Sequence, residues 1–154
     1  MKPIIIVLPT QGLCNRLRAL ASAYILAQHL NSTLYVNWIP EPCCNCHLTD
    51  IITNPFNSFD IKCISSSDTV LFKPDIHTNN LIDQFHAYKY VIIQGGHEFK
   101  HHEMPILSFI QKKHNFYSSL KYSNEVENIL TKCDNINNCI GVHYRDFIPQ
   151  YDEQ

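Results

Sequence analysis

Hydrophobic residues in this chain fall into short β-branched runs that alternate with segments of helical spacing. The first run, Ile4–Leu8, is continuously apolar, which is typical of a parallel strand covered on both faces. Pro9–Gly12 ends it, and apolar residues then recur at three- and four-residue steps, which predicts a helix that ends at Asn31–Ser32. The residues that this spacing places on one helix face are Leu13, Leu17, Leu20, Tyr24 and Ala27.

The same alternation continues along the chain. Thr33–Trp38 is the second predicted strand, and the first strand, helix and second strand form a parallel βαβ unit. The later predicted strands are Phe59–Ile64, Val70–Phe72, Tyr90–Gln94 and Cys139–Tyr144. The later predicted helices lie within Leu48–Phe56, over Pro105–Leu120, and after Ser123 with Val126, Ile129 and Leu130 buried. This order predicts an α/β fold, a three-layer Rossmann-like domain with a mostly parallel sheet.

Composition narrows the possible functions. The chain has 154 residues, of which 45% are hydrophobic and 17% charged, values typical of one globular domain. Its net charge is −2 and it has no Lys/Arg cluster, so we expect no nucleic-acid partner. The apolar runs are far shorter than the roughly 20 residues of a membrane span. The N-terminus lacks the features of a signal peptide, and we expect a cytoplasmic location.

The chain has seven cysteines. Four of them lie in or beside apolar segments and are predicted to fill the core: Cys14, Cys63, Cys133 and Cys139. Cys43, Cys44 and Cys46, followed by His47, look more like a site. Zinc sites usually take two ligand pairs with wider spacing, and this cluster is too cramped to give four ligands to one ion. We therefore expect no metal there.

Polar residues follow the first predicted strand at its carboxyl end, where open α/β sheets bind ligands. Gly12 would allow close backbone approach, Asn15 would donate and accept hydrogen bonds, and Arg16 would bind an anion or carboxylate. Arg16 and Arg18 both fall in the first helical turn, where a cation is disfavoured by about 0.3–1 kcal/mol. The alternative is that both arginines extend their charged ends into water.

A second candidate site is His97-Glu98-Phe99-Lys100-His101, which matches the His-Glu-x-x-His pattern of zinc hydrolases. That chemistry needs both histidines on one face of a stable helix, with Glu98 as general base. Gly95–Gly96 and Pro105 bracket the segment and leave little room for such a helix. A polar loop after a strand is therefore the favoured interpretation.

The last predicted strand ends in Gly141–Asp146. His143 and Arg145 lie two residues apart and so on the same face, where the arginine could bind a phosphate through two hydrogen bonds. The alternative is an exposed Arg145–Asp146 pair that contributes little.

Four blocks of sequence, taken together and in order, resemble fucosyltransferase-like glycosyltransferases, the superfamily of α1,6-, nodulation and protein O-fucosyltransferases. The blocks are GLCNRLRALASAYILAQHL, LYVNW with EPCCNCHLTDII, FYSSLKYSNEVENIL, and CIGVHYRD. The resemblance implies a GT-B fold, in which two Rossmann-like domains face a cleft. It also implies transfer from GDP-fucose to a glycan or protein hydroxyl, with no metal.

The resemblance further implies roles for individual residues. Gly12, Asn15 and Arg16 would face the cleft and bind substrate or donor, and His143 and Arg145 would match the His-x-Arg donor motif. Arg145 would stabilise the charge on departing GDP, and Asn15 would help to orient the acceptor or leaving phosphate, so these two are the predicted catalytic residues. The family usually has a second arginine followed by Thr-Asp, whereas this chain continues with Asp146, Phe147 and Ile148.

The resemblance assigns residues 1–138 to the N-terminal domain and residues 139–154 to the start of a donor-binding domain that is otherwise absent. We therefore expect a truncated, inactive fucosyltransferase-like protein, with a sugar nucleotide and a glycan or protein acceptor as the partners of the intact family. The strand Cys139–Tyr144 could mediate self-association through an exposed edge. A non-catalytic Rossmann-like binding module and a zinc hydrolase using His97, Glu98 and His101 are the alternatives.

Overall fold

The computed structural model describes residues 2–58, 68–74, 80–81, 85 and 87–132. Several predictions concern residues outside these ranges. They are the strands Phe59–Ile64 and Cys139–Tyr144, the buried cysteines Cys63, Cys133 and Cys139, and the donor-motif residues His143 and Arg145.

The described residues form an α/β domain around a four-stranded, all-parallel sheet. Its elements in chain order are β1 (Ile4–Pro9), α1 (Leu13–His29), β2 (Thr33–Val36), α2 (Leu48–Ile51), β3 (Thr69–Phe72), β4 (Asn80–Leu81), β5 (Tyr90–Gly95), β6 (Lys100–His101), α3 (Ile106–Ser118) and α4 (Asn124–Lys132). The sheet order is β2-β1-β5-β3, and β4 pairs with β6 in a separate two-stranded sheet. The α/β, Rossmann-like fold class predicted from the sequence is confirmed.

The core lies on the central strands. In β1, Ile5, Ile6 and Val7 are fully buried, and Val91 and Ile93 are buried beside them on β5. Ile5 lies opposite Leu34 of β2 and Val91 of β5, so β1 has a hydrogen-bonded neighbour on each side. Burial of consecutive residues means that both faces of the strand are covered, as a continuous β-branched run predicts.

Helix α1 ends in a Schellman motif. The backbone N–H of Ser32 donates to the carbonyl of Ala27 at 2.8 Å, and that of Asn31 donates to Gln28 at 3.2 Å. Asn31 takes the left-handed conformation, with φ of 51°, that this motif requires. The predicted end of the helix at Asn31–Ser32 is therefore confirmed.

The single apolar face predicted for α1 is too narrow. Leu13 is exposed, whereas Ser22 and Ile25, which lie off that face, are buried. The buried surface of α1 is wider because the helix packs on the sheet and also against α3 and the segment that contains β6. In this second contact, the backbone N–H of Phe99 donates to Oγ of Ser22 at 3.2 Å.

The other element boundaries differ modestly from the predictions. β2 ends at Val36 rather than Trp38, and α2 is a single turn that ends at Ile51 rather than a helix reaching toward Phe56. α4 begins after Ser123 as predicted, but its predicted buried face is wrong, because Ile129 and Leu130 are exposed. Among the described residues, no helix has both the length and the apolar character needed to cross a membrane.

Candidate functional site

The carboxyl ends of β1, β2 and β5 meet at one edge of the sheet because the strands are parallel. From β1 the chain runs to β2 on one side, and later returns as β5 on the other side. Such a reversal of strand order is the point at which open α/β sheets bind ligands. We call the turn Gln11–Arg16, the loop Asn37–His47 and Gly96 together the carboxyl-edge site.

Arg16 is the buried centre of this site. Its side chain is 0% exposed, and its guanidinium donates to three acceptors on two loops. Nε donates to the Gln11 carbonyl at 2.8 Å, Nη1 to the Ile39 carbonyl at 2.6 Å, and Nη2 to Oε2 of Glu41 at 2.8 Å. Cζ also lies 5.1 Å from the centre of the Trp38 ring, a cation–π contact. These contacts offset the unfavourable position of a cation in the first turn of a helix.

The alternative in which both arginines extend into water is therefore wrong for Arg16, whereas Arg18 is exposed. Each nitrogen of the Arg16 guanidinium already has a protein acceptor. In this arrangement the residue contributes by holding the loop after β2 against the turn after β1, rather than by facing a ligand. Glu41 was not predicted as a site residue. The only sign of its role in the sequence is that it is acidic and follows the carboxyl end of a predicted strand.

Asn15 and Gly12 lie at the surface of the same turn. Nδ2 of Asn15 donates to Oε1 of Gln11 at 2.6 Å, and Arg18 donates to Oδ1 of Asn15, so the amide is held in one orientation. A Cβ built on Gly12 would meet only the Cys43 carbonyl oxygen, at 3.9 Å. Packing within the described chain does not require glycine there, and the backbone is open to a close approach.

Gly96 is a site residue that sequence reasoning treated only as the end of a strand. A Cβ at this position would come within 2.8 Å of the Asn15 Cβ and 2.9 Å of the Thr10 carbonyl oxygen. Contacts this short force neighbouring atoms to move. The loop after β5 therefore packs directly on the turn after β1, and only glycine fits at the joint.

A cleft of about 320 Å³ opens at the carboxyl end of β2. Its lining includes Asn37, Trp38, His47, Thr49, Phe56 and Ser58. Nε1 of Trp38 donates to the Cys46 carbonyl at 3.0 Å, which fixes the indole next to the Arg16 guanidinium. Two aromatic rings among several polar side chains form a lining suited to sugars and nucleosides, which have both apolar faces and hydroxyl groups.

The cysteines of the loop after β2 are free thiols. Cys44 is buried, and its Sγ lies 3.6 Å from Sγ of Cys46. Burial, and secondarily the hydrogen bond to Cys46, raise the pKa of the Cys44 thiol to about 11. The predicted core position of Cys14 is wrong, because this residue is exposed in the first turn of α1.

The helix that the zinc-hydrolase pattern requires is not formed. His97–Phe99 is irregular, and Lys100 and His101 belong to strand β6. The Glu98 carboxylate pairs with Nζ of Lys113 on α3. His97, Glu98 and His101 therefore lack the shared helix face on which two histidines and a general base would act together.

The structure thus brings Gly12, Asn15 and Arg16 together at one edge of the sheet, while His143 and Arg145 lie outside the described residues. The chain was also compared with known proteins. No family model, no curated protein and no solved structure matches it significantly.

Proposed function

We propose that this protein is fucosyltransferase-like and that its carboxyl-edge site forms one wall of a glycosyl-transfer site. One observation supports this most directly. The start of the first block that carries the resemblance, GLCNR, occupies the turn at the carboxyl end of β1, where the strand order reverses. Ligands of open α/β sheets bind at this point.

In the proposed reaction, an acceptor hydroxyl attacks C1 of fucose with inversion and releases its proton to solvent, while the C1–O bond to GDP breaks and GDP leaves with the bonding electron pair. The donor substrate is GDP-fucose, the acceptor is a glycan or protein hydroxyl, and no metal takes part. Trp38 and Phe56 offer faces for stacking on a sugar or base, and Asn37, Thr49 and Ser58 offer hydrogen bonds to hydroxyls.

The turn residues have separate roles in this proposal. Gly12 leaves room for the ligand to approach the backbone. Asn15, oriented by Gln11 and Arg18, presents its amide to the acceptor or the leaving phosphate. Arg16 acts as a positioning residue that holds the cleft loop in place. Arg145 is assigned to the GDP diphosphate by the sequence resemblance.

The test is ligand-observed saturation-transfer NMR of the purified chain with GDP-fucose, a method suited to weak binding. We expect a saturable signal that Asn15→Ala and Arg145→Ala both reduce. Asn128→Ala, an exposed asparagine on α4, is the matched control and should leave the signal unchanged. Absence of a GDP-fucose signal in the wild type, or equal signals in all four proteins, would overturn the proposal.

A non-catalytic Rossmann-like binding module is the second candidate. It is favoured by Arg16, whose guanidinium is fully buried among protein acceptors rather than directed at a substrate. The dependence of binding on Arg145 separates the two candidates. Saturable GDP-fucose binding that Arg145→Ala weakens supports a fucosyltransferase-like donor site, whereas saturable binding that Arg145→Ala leaves unchanged supports a binding module.

A further inference from the structure

Three potential metal ligands from distant parts of the chain meet at the end of α1 opposite the carboxyl-edge site. They are His29, the last residue of α1, His101, the last residue of β6, and Glu103 in the turn before α3. One ligand atom from each lies within 4.8 Å of the other two. Within the described ranges, this is the single group of three or more such side chains.

Two imidazoles and one carboxylate are a ligand set that binds zinc with a fourth position open to water. Ligand atoms at about 2.0–2.1 Å from a tetrahedral ion lie about 3.4 Å from one another. The observed separations therefore need to close by at most about 1.4 Å. His29 and Glu103 are both exposed, so changes in the side-chain torsion angles of these two residues can bring the ligand atoms closer together.

The surroundings hold His101 in place and favour a cation. His101 is 2% exposed, and its ring lies 4.7 Å from the ring of His29 and 4.7 Å from that of His102, centre to centre. His29 lies in the last turn of α1, where the negative end of the helix dipole stabilises positive charge. Nζ of Lys100, the nearby cation, is directed at the carbonyl oxygens of His101 and Met104, at 3.4 and 3.1 Å.

We propose that His29, His101 and Glu103 bind one divalent ion of the zinc class, which joins the C-terminal end of α1 to the turn between β6 and α3. At 1.5 Å per residue, His29 lies about 20 Å along the helix from Arg16. The ion is therefore separate from the proposed transfer site. No local sequence motif indicates this set, because His29 is far from His101 and Glu103 in the chain.

The experiment is calorimetric titration of the untagged full chain with Zn²⁺. The ligand variants are His29→Gln and Glu103→Gln, which change exposed side chains. The matched controls are His114→Gln, an exposed histidine on α3, and Cys43→Ser, an exposed thiol. We expect one ion per chain in the wild type, an affinity lowered by about tenfold or more in each ligand variant, and no change in either control.

Thermal unfolding provides a second measurement. Because the ion binds the folded state, Zn²⁺ should raise the unfolding midpoint of the wild type and both controls, and raise it much less in the two ligand variants. The proposal is overturned if the wild type does not bind Zn²⁺, if His29→Gln and Glu103→Gln bind as tightly as the wild type, or if Cys43→Ser abolishes binding. These outcomes do not depend on whether GDP-fucose binds.

Discussion

Nη2 of Arg16 lies 2.8 Å from Oε2 of Glu41, and this pair joins the first turn of α1 to the loop after β2. The arginine is completely buried, whereas the carboxylate keeps 39% of its side-chain exposure. Most of the stabilisation therefore comes from satisfying the buried guanidinium, with the screened charge attraction as a smaller part. The Arg16 guanidinium also contacts the ring of Trp38, which lines the adjacent cleft.

Arg16→Lys should destabilise the protein by about 1–3 kcal/mol, because one ammonium group cannot reach the three acceptors that the planar guanidinium contacts. Urea denaturation measures the change in the free energy of unfolding. The matched control is Arg18→Lys on the same helix, which should change it by less than about 0.5 kcal/mol because Arg18 is exposed. Equal effects of the two substitutions would contradict the structural role of Arg16.

Gly96→Ala should destabilise the protein by about 1–3 kcal/mol, because the new Cβ lies within 2.9 Å of a backbone oxygen, that of Thr10, as well as close to Asn15. Gly12→Ala is the informative comparison. Its Cβ meets nothing closer than 3.9 Å, so the only expected loss of stability is that of replacing the N-cap glycine of α1 by alanine, at most about 1 kcal/mol. Binding of GDP-fucose should weaken if the ligand approaches this backbone. Thermal unfolding of both variants checks the first expectation, and saturation-transfer NMR checks the second. A stable Gly96→Ala protein would show that the two loops separate easily.

Leu20→Ala should lower the free energy of unfolding by about 2–5 kcal/mol, because Leu20 is fully buried in the main core cluster. Leu107→Ala on α3 is the control, since that leucine is 77% exposed and should lose little. Chemical denaturation of the two variants gives the comparison. A loss below about half a kilocalorie per mole for Leu20→Ala would mean that α1 is packed differently.

The Cys44 thiol should react slowly with iodoacetamide at pH 8, because its pKa of about 11 keeps it protonated, while exposed Cys43 should react faster. Peptide-level mass spectrometry resolves the two cysteines, and the urea-unfolded chain, in which both react alike, is the control. The raised pKa also affects stability. Its contribution is complete below the ordinary value of 9.0 and is lost as the pH rises through about 11. Faster alkylation of Cys44 than of Cys43 in the folded protein would contradict this environment.

Sequence reasoning succeeded where the determinants are local. Strands β1 and β5 are determined by continuous β-branched runs, and the end of α1 by the polar residues that follow it. These signals lie within a few residues of the structure they determine, and the observed bounds agree closely with the predicted ones. The width of the buried surface on α1 was underestimated because α3 covers it from a second side, which the helix's own spacing does not encode.

The candidate site was predictable only in part for the same reason. Its location after β1 follows from the strand pattern and the general behaviour of parallel sheets. Its internal contacts do not, because the Arg16 guanidinium meets Glu41 from the loop after β2, and Gly96 packs on Asn15 from the loop after β5. The buried position of Arg16 contradicts the usual exposure of arginine and requires the fold to be known.

Because α1 is packed on two sides, the directions of the side chains at its two ends are fixed relative to each other. Each residue of an α-helix advances by about 100° around the axis. Inserting one residue midway along α1 would leave Arg16 in place but turn His29 away from the ring of His101 by that angle. Because the helix packs against both the sheet and α3, a rotation of about 100° would disrupt buried contacts on both sides. This architecture should therefore tolerate an insertion within α1 poorly.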